Sequence, residues 1–202
     1  MSDISIKVVL VGESGIGKTC IIERFVNDHY DDKTESTMNA AYKNKTIEIG
    51  GQKLSLDIWD TAGQEMYRAV NQNFYLNATI GIMVYDITRE ETFEELKNYW
   101  HEQLKNSGDE DMVFGIAGNK CDLLSKEKVN EKTARAYAKE IGAVFFLTSC
   151  KENIGISNLF EECGKKYLEK NNLLKGGKKD KGLIISKDDF KGDQVKKKKK
   201  CC

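Results

Sequence analysis

The stretch "VVLVGESGIGKTCIIERFV" from Val8 to Val26 constrains the fold more than any other part of the chain. Val8 to Val11 is a run of apolar residues without alternation, the pattern of a strand buried on both faces. Six residues rich in glycine follow, and from Lys18 the apolar positions recur at helical spacing. A doubly buried strand feeding a helix through a tight loop belongs in a sheet with helices on both sides. The rest of the chain keeps this rhythm. Strand-length runs "KTIEIG", "KLSLDIWD", "TIGIMVYDI", "MVFGIAGN" and "AVFFLTS" are separated by helical patterns at Glu91 to Lys105, Glu131 to Ile141 and Ile156 to Glu169. The expectation is an α/β fold with a six-stranded, mostly parallel sheet. "TIEIG" and "KLSLDIW" alternate around Gly50-Gly51, which predicts a hairpin and one antiparallel edge strand.

The loop "GESGIGKT", Gly12 to Thr19, has the spacing and the strand-to-helix context of a phosphate cradle. Its glycines let backbone N–H groups turn inward around phosphate oxygens, and the helix N-terminus adds its positive end. Glu13, Ser14, Gly15, Ile16, Gly17, Lys18, Thr19 and Cys20 are therefore candidate nucleotide-binding residues. Lys18 would reach the β and γ phosphates, and the Thr19 hydroxyl would face magnesium. Taken alone, the loop suits an ATPase, a kinase or a GTPase.

"NKCD", Asn119 to Asp122, follows a strand at its carboxyl end, where ligands of open α/β sheets bind. The Asp122 carboxylate can accept hydrogen bonds from N1–H and the exocyclic amine of guanine, whereas adenine would present an acceptor to it. Such a site rejects the mismatched base by about 10⁴ or more. The alternative is a helix N-cap, a frequent duty of Asn and Asp. A third motif, "WDTAGQE" from Trp59 to Glu65, closes a strand: Asp60 can hold magnesium through a water, Gly63 can offer its N–H to the γ-phosphate, and Gln64 can orient an attacking water. Three such motifs in order, each at a strand end, arise by chance on the order of once in 10⁵ chains.

The net charge of +0 hides a division. From Lys170 to Cys202 there are twelve lysines and four aspartates, a balance of +8, so the rest carries −8. A basic tail on an acidic body points to an anionic partner for the tail alone. "KKKKK" offers neither arginine for base readout nor an aromatic for stacking, so nucleic acid is not expected. No window reaches the ~18 apolar residues of a membrane span, and the start shows no signal segment, which predicts a cytosolic chain. Six cysteines lack metal-ligand spacing, and the upstream four read as packing residues. Residues 1–169 read as one domain and 170–202 as a disordered tail with one apolar island, Leu183 to Ile185.

With these motifs the chain resembles the small GTPases of the Ras superfamily, and within them the Rab GTPases. "LDIWDTAGQEMYR", "FYLNAT", "YDITREETFEELKNYW" and the terminal Cys201-Cys202 carry the resemblance to Rabs, and "AAY" after Thr37 resembles the early-endosomal branch. The resemblance implies a P-loop G-domain that binds GTP and GDP with Mg2+, hydrolyses GTP slowly with Gln64 as the catalytic residue, and acts as a monomeric switch in vesicle and endosomal traffic. It implies that Thr37 completes the magnesium shell begun by Thr19 and Asp60. Tyr30 would pack against the base, which Asn119, Lys120 and Asp122 read with the support of Ser149, Cys150 and Lys151. Tyr42, Trp59 and Phe74 would form the aromatic patch that effectors read. Other implied partners are an exchange factor, an activating protein that supplies an arginine, a GDP dissociation inhibitor and a prenylation escort protein. Two geranylgeranyl groups on Cys201 and Cys202 would anchor the protein to the cytoplasmic face of intracellular membranes, and two are needed because one modest lipid chain binds only marginally. Thr37-Met38-Asn39 departs from the family's usual Thr-Ile-Gly, and "SCK" from the commoner Ser-Ala-Lys.

Overall fold

The computed structural model describes residues 4–31, 41–61 and 74–174. Six strands form a single sheet in the order β2-β3-β1-β4-β5-β6, with β1 Ile4–Val11, β2 Ala41–Ile49, β3 Gln52–Asp60, β4 Ile80–Asp86, β5 Val113–Asn119 and β6 Val144–Thr148. All neighbours are parallel except β2 and β3, so the expected antiparallel edge strand is present. The chain turns from β2 to β3 through Gly50 and Gly51 at φ +58° and +77°. Two consecutive residues at positive φ match the twist of a tight hairpin, and glycine adopts them without strain.

Alternation along β1 places the two cores. Ile6, Val8 and Leu10 face one side, packing with Ile21, Ile22 and Phe25 of α1 (Lys18–Asn27) and with Leu159 and Phe160 of α5 (Ile156–Lys170). Val9 and Val11 face the other side, beneath Phe93, Trp100, Leu104 and Ala134. These come from α2 (Glu90–Glu95), a π-helical turn (Leu96–Trp100), α3 (His101–Ser107) and α4 (Glu131–Glu140). Every residue of β4 is buried, as its uninterrupted apolar run demands. On the α1/α5 side the rings of Phe25 and Phe160 stack with centroids 3.8 Å apart.

Two elements differ from the sequence expectation. β2 starts at Ala41 rather than near Lys45, because pairing with β3 runs on from Ile49↔Gln52 to Ala41↔Asp60 although "AYKN" has no apolar alternation. The helix expected over Glu91 to Lys105 spans Glu90 to Ser107 and carries a π-helical turn at its centre. That turn adds a residue to the helical period, and it brings Leu96 and Trp100 fully under the sheet.

The strand order reverses direction at β1, with β3 on one side and β4 on the other. Loops leaving the carboxyl ends of β1, β3, β4, β5 and β6 therefore converge on one crevice.

Candidate functional site

The loop after β1 is shaped by contacts only glycine permits at two points. Gly12 has φ +139°, and a Cβ there would lie 2.4 Å from the Val84 carbonyl oxygen. Gly17 has φ +96°, and its Cβ would lie 2.5 Å from the Asn119 amide nitrogen. Between them, five successive carbonyls each accept a hydrogen bond from a side chain. Lys18 Nζ donates to Gly12 O at 2.8 Å and Glu13 O at 2.9 Å. Arg89 donates to Ser14 O at 3.2 Å, Lys120 Nζ to Gly15 O at 2.9 Å, and Asn119 Nδ2 to Ile16 O at 2.7 Å. In a trans peptide the N–H points opposite to the carbonyl. Lys18 Nζ gathers the first two carbonyls from within the loop, whereas those of Ser14, Gly15 and Ile16 are held by donors from other elements, which turns the N–H groups of Gly15, Ile16 and Gly17 away from those donors. Three successive donors and the Lys18 ammonium form an anion-binding concavity.

Lys18 opens α1 and is 6% exposed. Burial pulls its ammonium down to about 8, against the attraction of Asp60 and Glu13. That leaves it mainly charged at neutral pH, and an anion in the concavity would raise it again, as a phosphate-binding lysine requires. Thr19 Oγ1 donates to Asp60 Oδ2 at 2.6 Å, joining the start of α1 to the buried end of β3. A hydroxyl and a carboxylate in contact beside a phosphate-binding loop form a hard oxygen donor set suited to Mg2+.

The base end is built by β5, β6 and the loops that follow them. Asn119 ends β5 at 2% exposure; its Oδ1 accepts from Thr148 Oγ1 at 3.1 Å, and the Cys150 thiol approaches it at 3.7 Å. Lys120 turns the chain at φ +66° and caps a 3-10 helix, Cys121–Lys126, without a side-chain capping bond. Asn119 and Asp122 are thus not capping residues, and that alternative falls. Asp122 accepts from Ser149 Oγ at 2.6 Å, and Ser149 Oγ also accepts the Glu152 N–H at 3.1 Å. Arg24 of α1 donates to Cys150 O at 2.9 Å and lies 5.7 Å from the Tyr30 ring. Gly15, Gly17 and Cys20 from the phosphate end, Tyr30 from the side, and Asn119, Lys120, Asp122, Cys150 and Lys151 from the base end line one cavity of about 300 Å³. Burial pushes the Cys150 thiol up to about 12 and the Cys121 thiol up to about 11, so both are protonated packing groups at neutral pH. Among the described residues no cluster of three His, Cys, Asp or Glu could hold a metal ion.

Tyr42, Trp59 and Phe74 form a continuous row on the edge of the sheet, with ring centroids 5.5 and 5.6 Å apart. Tyr42 is half-exposed, and its hydroxyl donates to Asp57 Oδ1 at 2.6 Å. Thr37, Gly63, Gln64, Leu183 to Ile185, Cys201 and Cys202 lie outside the described residues.

Two residues that touch the site's loops were not legible beforehand. Asp86, 1% exposed at the end of β4, holds Lys120 Nζ at 2.7 Å and accepts from both the N–H and the hydroxyl of Thr88. Burial by itself would raise its carboxyl, but the hydrogen bonds from Lys120 and Thr88 hold it below the ordinary carboxylate range. The other is Arg89, 75 residues along the chain from the carbonyl it binds. No local pattern announces either contact.

The chain matches the Ras family over residues 7–169. It is 42% identical over 174 residues to Ras-related protein Rab-22A of Homo sapiens, covering 86% of this chain and 89% of the relative. It is 42% identical over 156 residues to human Ras-related protein Rab-31, covering 77% and 80%, and 41% identical over 165 residues to Ras-related protein Rab-21 of Geodia cydonium, covering 82% and 72%. The chain belongs to the Ras family, as a small GTPase of the Rab kind, and it is a GTP phosphohydrolase.

Proposed function

We propose that the cavity binds GTP and GDP with Mg2+ and that the chain works as a membrane-anchored switch in endosomal traffic. The observation that carries the reading is the set of three carbonyls, Ser14 to Ile16, held by Arg89, Lys120 and Asn119, which turns the N–H groups of Gly15, Ile16 and Gly17 the other way, with Lys18 Nζ gathered into the loop beside a cavity that Asp122 also lines. Lys18 neutralises the β and γ phosphate oxygens, and Asp122 accepts from the guanine N1–H and amine while Asn119 and Lys120 fix its loop. Ser149, Cys150 and Lys151 close the pocket over the base, and Tyr30 covers it from the side. Thr19 and Asp60, with Thr37, hold Mg2+, which when bound neutralises charge on the phosphates. Gln64 orients the attacking water and Gly63 meets the γ-phosphate, so positioning and electrostatics supply the catalysis.

GTP orders the segments around Thr37 and Gly63, and effectors then dock on Tyr42, Trp59 and Phe74; an exchange factor and an activating protein set the cycle. Residues 170–202 form the tail that carries the lipids on Cys201 and Cys202, handled by an escort protein and a GDP dissociation inhibitor. Its five terminal lysines add up to about 1 kcal/mol each against an anionic leaflet. Similarity to Rab-22A and Rab-31 supports the Rab reading, and "AAY" supports the endosomal one. No helix among the described residues is long and apolar enough to cross a membrane.

Single-turnover hydrolysis of GTP, with ATP as competitor, tests the reading. The expected rate is roughly 10⁻⁴ to 10⁻² s⁻¹, with ATP unable to displace labelled GDP. Displacement by ATP, or a rate above ~1 s⁻¹ without a partner, would refute it.

A further inference from the structure

Four of the five hydrogen-bonded carbonyls of the phosphate loop are held by residues of the sequence motifs: two by Lys18, one by Lys120 and one by Asn119. The fifth, Ser14 O, is held by a residue that belongs to none of them. Arg89 lies in the turn between β4 and α2, where its backbone N–H donates to Asp86 O at 3.0 Å and its carbonyl accepts from Thr92 Oγ1 at 2.7 Å. From that fixed point its guanidinium splits between two acceptors, with Nε on Glu91 Oε1 at 2.9 Å and a terminal nitrogen on Ser14 O at 3.2 Å. A Cβ on Gly15 would come within 3.9 Å of the same nitrogen, so the guanidinium also lies beside Gly15.

We propose that Arg89 is a positioning residue of the phosphate cradle, pinning the Ser14–Gly15 peptide so that the Gly15 N–H stays aimed at the phosphates, and that it thereby sets how long the nucleotide is retained. The mechanism follows from the planarity of the peptide. Ser14 O and the Gly15 N–H belong to one rigid unit, so a donor that fixes the oxygen outside fixes the hydrogen inside. Gly15 stands at φ +73° with no side chain of its own to hold that peptide, and the Lys120 bond fixes only the peptide that follows it. Without the brace, the peptide can rotate to present its carbonyl to the phosphates, exchanging attraction for repulsion. Thr92 and Asp86 anchor the backbone of Arg89, so the brace couples the start of α2 to the nucleotide. The side chain is 38% exposed, within reach of a partner carrying a carboxylate.

The inference rests on the guanine-nucleotide reading, and the test separates the two. Full-length protein is loaded with fluorescent GDP and Mg2+ and chased with excess GDP. Arg89→Ala should release GDP about threefold to tenfold faster, the loss expected for one partly exposed charge-assisted hydrogen bond. Its preference for GDP over inosine diphosphate, which lacks the amine that Asp122 reads, should stay unchanged, because the brace acts on phosphate and not on base. Lys97→Ala removes a surface pair with Glu94 on the same helical segment, away from the loop, and should release GDP at the wild-type rate. Release from Arg89→Ala at the wild-type rate would overturn the proposal. So would equal acceleration by Lys97→Ala, or a loss of base preference in Arg89→Ala, since either would mean general loosening. Wild-type protein that retains no guanine nucleotide would overturn the proposed function and the brace with it.

Discussion

Replacing Asp86 by asparagine tests the electrostatics at the centre of the site with little change of shape. In the wild type Oδ1 accepts twice from Thr88 and Oδ2 accepts from Lys120 Nζ at 2.7 Å. Asparagine keeps an oxygen for Thr88 but turns an amide NH2 toward an ammonium, so a charge-assisted hydrogen bond worth about 1.5–3 kcal/mol is lost. Removing one partner of a fully buried ion pair costs more, roughly 3–5 kcal/mol. Here Lys120 is 34% exposed on its side chain and can turn to water, which favours the lower range. We expect nucleotide-stripped protein to lose about 2 kcal/mol in urea, or about 4–8 °C in Tm for a domain of this size. Lys120 also holds Gly15 O, so its release should speed GDP dissociation by about tenfold. The sign of the pH dependence follows from the depressed carboxyl. A group held below its unfolded value of 3.8 contributes fully above that value and loses its contribution only as pH falls further, through the folded value. The gap between wild type and variant should therefore be constant from pH 8 to about pH 5 and close only in stronger acid. A gap under about 0.5 kcal/mol at pH 7, or one that closes between pH 7 and 5, would show that burial and not the Lys120 contact governs Asp86.

Asp122→Asn should weaken GDP binding by roughly 10² to 10⁴ and shift preference toward xanthine diphosphate, whose carbonyl pairs with the amide; competition against fluorescent GDP measures both. Phe160→Ala removes half of the stack with Phe25 and should cost about 3–5 kcal/mol in urea unfolding. Gly155→Ala forces a Cβ to within 2.2 Å of Leu147 O at φ +70°, and should lower stability by about 1–3 kcal/mol and disturb the Ser149–Ile154 bridge beside the base; thermal unfolding with and without GDP separates the two effects.

Residue order alone was enough to place the sheet, its one antiparallel pair, the helices and the loops that follow β1 and β5. Those signals are local: an unbroken apolar run for β4, alternation around Gly50-Gly51, and glycines spaced so that a backbone can curl around an anion. The helices Glu131–Glu140 and Ile156–Lys170 accordingly start and end within a residue of the sequence reading. Where the local signal was absent, the reading fell short. β2 extends to Ala41 because β3 supplies hydrogen-bond partners that a polar segment does not reveal, and the turn at Leu96–Trp100 widens because Trp100 must fit beneath the sheet.

At the site the division is sharper. Lys18, Asn119, Lys120 and Asp122 could be named from motifs, but not what their side chains do to the loop. Lys120 looked like a residue that faces the ligand, yet it also ties Gly15 to Asp86. Arg89 and Asp86 meet their partners across 75 and 34 residues of chain, through contacts that exist only when β1, β4 and β5 lie side by side. Amino-acid order encodes which groups a nucleotide site contains, because loop composition is a local property. Packing the strands decides which way each peptide of the loop points, because the donors that hold those carbonyls come from elements distant in sequence.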